Sequence, residues 1–200
     1  MGATSAMYPD PWHELSDAMF HDWPAYAGES TIQELASRII EEHEIKDGDT
    51  LIGSSLGGIV SSEVANQLSL HSLVLVGSAK DKEEIRPILR ILHPFVDLAP
   101  LEFLRVSSSS IPNELARMFS HTDARFIRSM CKAIFSWDGL KNDVRLIRIH
   151  GKGDLVIPCP TEVEDPIDGG HLIAMTHPME CMKKIKENQS VDTTPVSAPR

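Results

Sequence analysis

The sequence predicts an α/β protein with a mostly parallel sheet flanked by helices and interrupted by a helical insert. Three observations carry that expectation. First, an amphipathic stripe is followed by a short aliphatic run bounded by Gly, and the same order of helix period and strand repeats immediately afterwards. Second, Ser72-Leu-Val-Leu-Val-Gly77 is almost unbroken aliphatic sequence, as a strand covered on both faces requires. Third, helix, strand, helix, strand in this order is the signature of a parallel sheet.

In order, Ile32, Leu35, Ala36, Ile39 and Ile40 line one face of a helix over 31–44. Ser30 with Gln33 three residues on supplies a capping box. Lys46-Asp47-Gly48-Asp49 forms a turn, and Thr50-Leu51-Ile52-Gly53 reads as a buried strand. After Gly57-Gly58 a helical period returns through Val60, Val64 and Leu68, and the Ser72 strand follows.

Between Lys80 and Gly139 the pattern becomes helical. Ile85, Ile88, Leu89 and Leu92 make one stripe, Leu115, Met118 and Phe119 a second, and Phe126, Ile127, Met130 and Ile134 a third, punctuated by prolines at 87, 94, 100 and 112. The strand pattern resumes over 144–149, a weaker strand is expected over 161–163, and a last helix runs from about Pro178 to Glu187. The expected organisation is a core from 1–79 and 140–190, an insert from 80–139 and a disordered tail from 191–200.

Composition bounds the function. The chain has 200 residues and 42% hydrophobic side chains, enough for one sizeable core. A formal net charge of −10 argues against nucleic acid, whose binding depends on Lys and Arg neutralising phosphates. Cys131, Cys159 and Cys181 form no CxxC and no even framework, which favours a reducing compartment. No run is apolar enough for a membrane span. The opening residues carry neither a basic n-region nor an apolar h-region, so a cytoplasmic protein is expected.

The chemical signal is Gly53-Ser54-Ser55-Leu56-Gly57, a G-x-S-x-G sequence between a predicted strand and a predicted helix. A sharp turn there lifts the Ser55 hydroxyl out of the sheet. Small residues at minus two and plus two are expected, because the backbone is tight. The Leu56 N–H, at the positive end of the following helix, is placed to stabilise an oxyanion. The bare pentapeptide also occurs as an ordinary Gly/Ser loop. A serine hydroxyl is a weak nucleophile unless a base and an orienting acid accompany it.

Of nine histidines, His171 is the best base, because Gly169 and Gly170 precede it after a strand. His13, His21, His43, His71, His93 and His121 read as surface or capping residues, His177 as the start of the last helix and His150 as structural. Asp154 is the best acid, four residues past a strand end in the turn Gly151-Lys-Gly-Asp154; Asp138, Asp143, Asp165 and Asp168 lack that setting. Asp154, His150 and His171 do not have the spacing of a known metal site, so neither metal nor cofactor is expected. Cys131 has no motif and is expected to pack on the insert helix.

Together, the elbow at 53–57, the Gly-x-x-Asp turn at 151–154 and the Gly-Gly-His at 169–171 resemble the α/β-hydrolase fold superfamily, in its order Ser, Asp, His. The resemblance covers about Ser30 to Glu187 and places the insert where the family has its cap. It implies Ser55 as nucleophile, His171 as general base and Asp154 as the residue that holds the imidazole tautomer. Asp154 and His171 lie only 17 residues apart, so the helix usually found between the last two strands is reduced. The family's oxyanion loop is matched only by a remnant, Gly2 to Ser5, with Ala3 as second donor. The strand before that loop is missing from the sequence, which makes the fold N-terminally shortened. Asp17 to Trp23 is expected as the family's fourth strand, pairing directly with the Thr50 strand unless the sequence is truncated.

The implied activity is that of a serine esterase or lipase with a small, apolar acyl substrate; thioesterase, acyltransferase and carbon–carbon hydrolase chemistry are the neighbouring possibilities. A hydrolase-like binding protein without catalysis is the alternative from another class.

Overall fold

The computed structural model describes residues 4–86 and 123–190. Three parallel strands form the sheet: β1 (Thr50–Ser54), β2 (Ser72–Val76) and β3 (Leu146–Ile149), in the order β1-β2-β3. All five residues of β2 are buried, as its aliphatic sequence demands. Alternation along β2 splits the core. Val74 and Val76 face a cluster with Trp12, Ile173, Met182 and Ile185, whereas Leu73 and Leu75 face Ala65 on the opposite side.

Helix α1 (Ile32–Glu42) buries Ile32, Leu35 and Ala36, the predicted stripe. Its cap lies one residue later than the sequence suggests. Thr31 is the N-cap: its hydroxyl accepts from the Glu34 N–H at 3.0 Å, and the Glu34 carboxylate accepts from the Thr31 N–H at 3.2 Å. Glu34 also accepts from the Ser30 N–H at 2.7 Å, a reach to two donors at the positive helix end that a neutral Gln33 amide matches less well. Helix α2 (Leu56–Gln67) packs against α1 and both neighbouring strands.

Within the described part of 80–139, helix α3 (Ala124–Ser136) forms as predicted and buries Phe126, Ile127, Met130, Ala133 and Ile134. Phe126 and Met130 join one core cluster with Leu35 of α1 and Ile59 of α2. Ile85 is buried, but in extended backbone (φ −82, ψ 137) after a 3-10 turn at Lys82–Glu84 and not on a helix. Ile88, Leu89, Leu92, Leu115, Met118 and Phe119 lie outside the described residues, as do Ala3 and the tail over 191–200.

Two expected strands are absent. Asp17 to Trp23 is irregular: Asp17 adopts a left-handed φ of 59, and Phe20 leaves any sheet to pack on Tyr8 and His13. β1 therefore has no strand partner on its outer edge among the described residues. Thr161 to Val163 is a turn closed by Val163 N–H to Pro160 O, and the parallel bridge is made later, between Gly151 and Ile167. Prolines at 158, 160 and 166 deny that segment backbone donors.

The chain closes with α4 (Ile173–Thr176) and α5 (Pro178–Ser190). The Trp12 indole N–H donates to Ala174 O at 2.7 Å and ties the N-terminal segment to α4. No described helix is long and apolar enough to cross a membrane.

Candidate active site

β1 runs into α2 through a single residue, Ser55, whose φ of 52 and ψ of −124 lie where side chains other than Gly are strained. The turn survives because Gly53 lets the helix start press against the strand. A Cβ at Gly53 would sit 2.5 Å from the Gly57 carbonyl and the Gly58 nitrogen. The plus-two position behaves differently from expectation: a Cβ at Gly57 would meet nothing within 4 Å. The second tight glycine is Gly58, which leaves room for Ser78. Leu56 opens α2, so its N–H has no intrahelical acceptor and lies at the positive end of the helix.

Beyond β3 the chain turns back through Gly151. The Lys152 N–H donates to Ile167 O and the Gly153 N–H to Gly169 O, both at 2.8 Å, so the 150–157 and 167–171 loops zip together by backbone bonds. A Cβ at Gly151 would lie 2.6 Å from Gly169 O, and one at Gly77 (φ 54) would lie 2.9 Å from His171 O. These glycines let the two loops close over the end of β2.

The closure brings Ser55, His171 and Asp154 together from three separate parts of the chain. His171 Nδ1 lies 2.8 Å from Asp154 Oδ2, and Nε2 lies 2.9 Å from Ser55 Oγ. Because a carboxylate only accepts, Nδ1 carries the proton and Nε2 is left to accept from the Ser55 hydroxyl. Asp154 is 3% exposed. Its Oδ1 accepts from the Val156 and Ile157 N–H groups at 2.8 and 2.9 Å. Burial alone would push its carboxyl up, but the hydrogen bonds of His150, His171 and the Ile157 N–H outweigh it and hold the group well below the ordinary carboxylate range.

His150 was expected to be structural, and the structure gives that role a definite target. Buried at the end of β3, its Nε2 donates to Ile157 O at 2.8 Å and lies 3.3 Å from Asp154 Oδ2. It braces both the turn and the carboxylate. The competing groups stay apart. Asp138 pairs with Lys141, and Asp165 with Lys184. Cys131 is half-buried on α3, where burial raises its thiol away from the nucleophilic form. Among the described residues no three His, Cys, Asp or Glu side chains gather to hold a metal.

No protein-family model matches the sequence, and no curated protein matches it. Solved structures do resemble the fold. A hydrolase from Oleispira antarctica superposes with a TM-score of 0.73 at 15% identity, covering 94% of this chain and 88% of that one. An enol-lactonase from Burkholderia xenovorans LB400 gives 0.70 at 19% identity over 94% and 88%. A thermophilic esterase from Thermogutta terrifontis gives 0.65 at 16% identity over 94% and 85%. The parallel sheet, the flanking helices and these likenesses together show a fold of the α/β-hydrolase type.

Proposed function

We propose that this protein is a serine hydrolase that cleaves a carboxylic ester, or a related acyl bond, through an acyl-enzyme on Ser55. The observation that carries the reading is the continuous hydrogen-bonded line from Ser55 Oγ through His171 to the buried Asp154 carboxylate. As Oγ attacks the acyl carbon, its proton passes to His171 Nε2, and the Asp154 charge stabilises the imidazolium across the 2.8 Å bond to Nδ1. The Leu56 N–H and the α2 dipole receive the developing oxyanion. The leaving alcohol takes the proton from Nε2. Water then gives a proton back to Nε2 while its oxygen attacks the ester carbon, and collapse returns that proton to Ser55. These steps consume water alone and need no cofactor.

Support comes from the names of the structural neighbours, which include an enol-lactonase and an esterase. An apolar acyl group is the proposed substrate portion, because Leu155 and Val156, which follow Asp154 in the chain, stand 74% and 39% exposed. The proposed setting is the cytoplasm: Cys131, Cys159 and Cys181 are free thiols, which suits a compartment that keeps them reduced. Residues 80–139 are the proposed cap.

The test compares wild type with Ser55→Ala, using a fluorophosphonate label and p-nitrophenyl butyrate hydrolysis. Labelling should disappear, and kcat should fall by at least about 10³-fold. Folded wild type that neither labels nor hydrolyses would sink the proposal.

A further inference from the structure

The strained elbow has a brace that the mechanism above does not use. Ser78 is fully buried two residues past β2, and its hydroxyl donates to the Ser55 carbonyl at 2.7 Å. That carbonyl also accepts from the Gly58 and Ile59 N–H groups at 3.0 and 3.3 Å, so Ser78 adds a third donor to the group that sets the Ser55 backbone. Gly58 carries no side chain where any Cβ would collide with the Ser78 side chain. Its neighbour Gly77 lies against the His171 carbonyl, so one dipeptide touches both the nucleophile's loop and the base's loop.

Ser78 is itself held. The Arg148 guanidinium donates through Nη2 to Ser78 O at 3.1 Å, and it grips Glu84 with both terminal nitrogens at 2.8 and 2.7 Å. Nη1 also reaches Glu162 at 2.8 Å. The Lys80 hydrogen bond, ahead of the Arg148 charge, holds the Glu162 carboxyl down at about 2, so that partner stays ionised. The Arg148 side chain is only 7% exposed, a setting in which a forked ion pair keeps its geometry.

We infer that Ser78 is a positioning residue for Ser55, holding the nucleophile's strained backbone in register with His171 and itself anchored by Arg148. The inference rests on Ser55 being the nucleophile. Loss of the hydroxyl leaves the fold in place but lets the elbow relax, which slows attack without changing how substrate is gathered.

The experiment measures the fluorophosphonate labelling rate, kcat and KM for p-nitrophenyl butyrate, and the urea midpoint, in wild type, Ser78→Ala and Ser78→Cys. Labelling and kcat should both fall by about tenfold in Ser78→Ala with KM unchanged, and Ser78→Cys, which keeps a weaker donor, should fall between. If Ser78→Ala does not fold, Ser78→Cys decides by the same split. A folded variant with wild-type kcat, or one whose KM alone rises, overturns the inference and leaves the hydrolase reading standing. A wild type that does not label overturns that reading, and this inference with it.

Discussion

The elbow at 53–58 and the paired loops at 150–157 and 167–171 both deliver a side chain to the same spot, by different means. The elbow is contiguous. Strand and helix are continuous through it, Ser55 absorbs the whole turn in one strained residue, and Gly53 touches the backbone four residues on. The loops have no regular structure beyond one bridge, and they hold each other by backbone bonds and by side chains that converge on Asp154. A site therefore combines a stiff half, fixed by local sterics, with a half fixed by long-range bonds that can give way separately. A Cβ forced into the elbow backbone should register mainly as lost stability, and one forced between the loops mainly as lost rate.

The largest effect should come from the loop half. Asp154→Asn leaves the shape but cannot hold the imidazole tautomer, and kcat should fall by about 10³ to 10⁴-fold in steady-state assays. Next, Gly53→Val should cost about 3 kcal/mol in urea unfolding, because the helix start cannot retreat from the new Cβ. Gly151→Ala is the counterpart: its Cβ runs into the Gly170 and Gly169 carbonyls of the loop that carries His171, so kcat should drop by about 10²-fold, alongside about 1–3 kcal/mol of stability. Equal partition between stability and rate in these two glycine variants would break the comparison.

Acid should also single out the loops. The Asp154 carboxyl is depressed in the folded state, so the stability it contributes is fully present above its unfolded value, about pH 4, and is lost as pH falls further toward its folded value. The gap in urea midpoint between wild type and Asp154→Asn should narrow from pH 5 to pH 3, and a constant gap would count against that linkage. The smallest effect sharpens the elbow itself. Gly57→Ala adds a Cβ into open space on a helix, so stability should stay level or rise by up to about 1 kcal/mol.

Legibility in the sequence followed the same division. Ser55 could be read because the elbow is a local pattern, with its strand and helix on either side. Asp154 and His171 could be nominated from their glycine settings and from a family resemblance, although no period or spacing links them to Ser55. The supports were less visible. His150 and Ser78 act through the Asp154 carboxylate and the Ser55 carbonyl, partners that only folding brings near. The strand expectation at Asp17 to Trp23 failed because Phe20 packs on Tyr8 and His13 and Trp23 on Phe126, and not on a sheet. The one at Thr161 to Val163 failed because prolines on either side remove the donors a ladder needs.

By itself, then, the sequence determined the parallel core and the turn that bears Ser55, since hydrophobic period and glycine placement act between residues close in the chain. Only the tertiary structure decided that His171 Nε2 meets Ser55 Oγ at 2.9 Å across a separation of 116 residues, and which buried groups keep it there. Those distances depend on how β2, β3 and the two loops pack, and that packing is a property of contacts between segments, which no local pattern encodes.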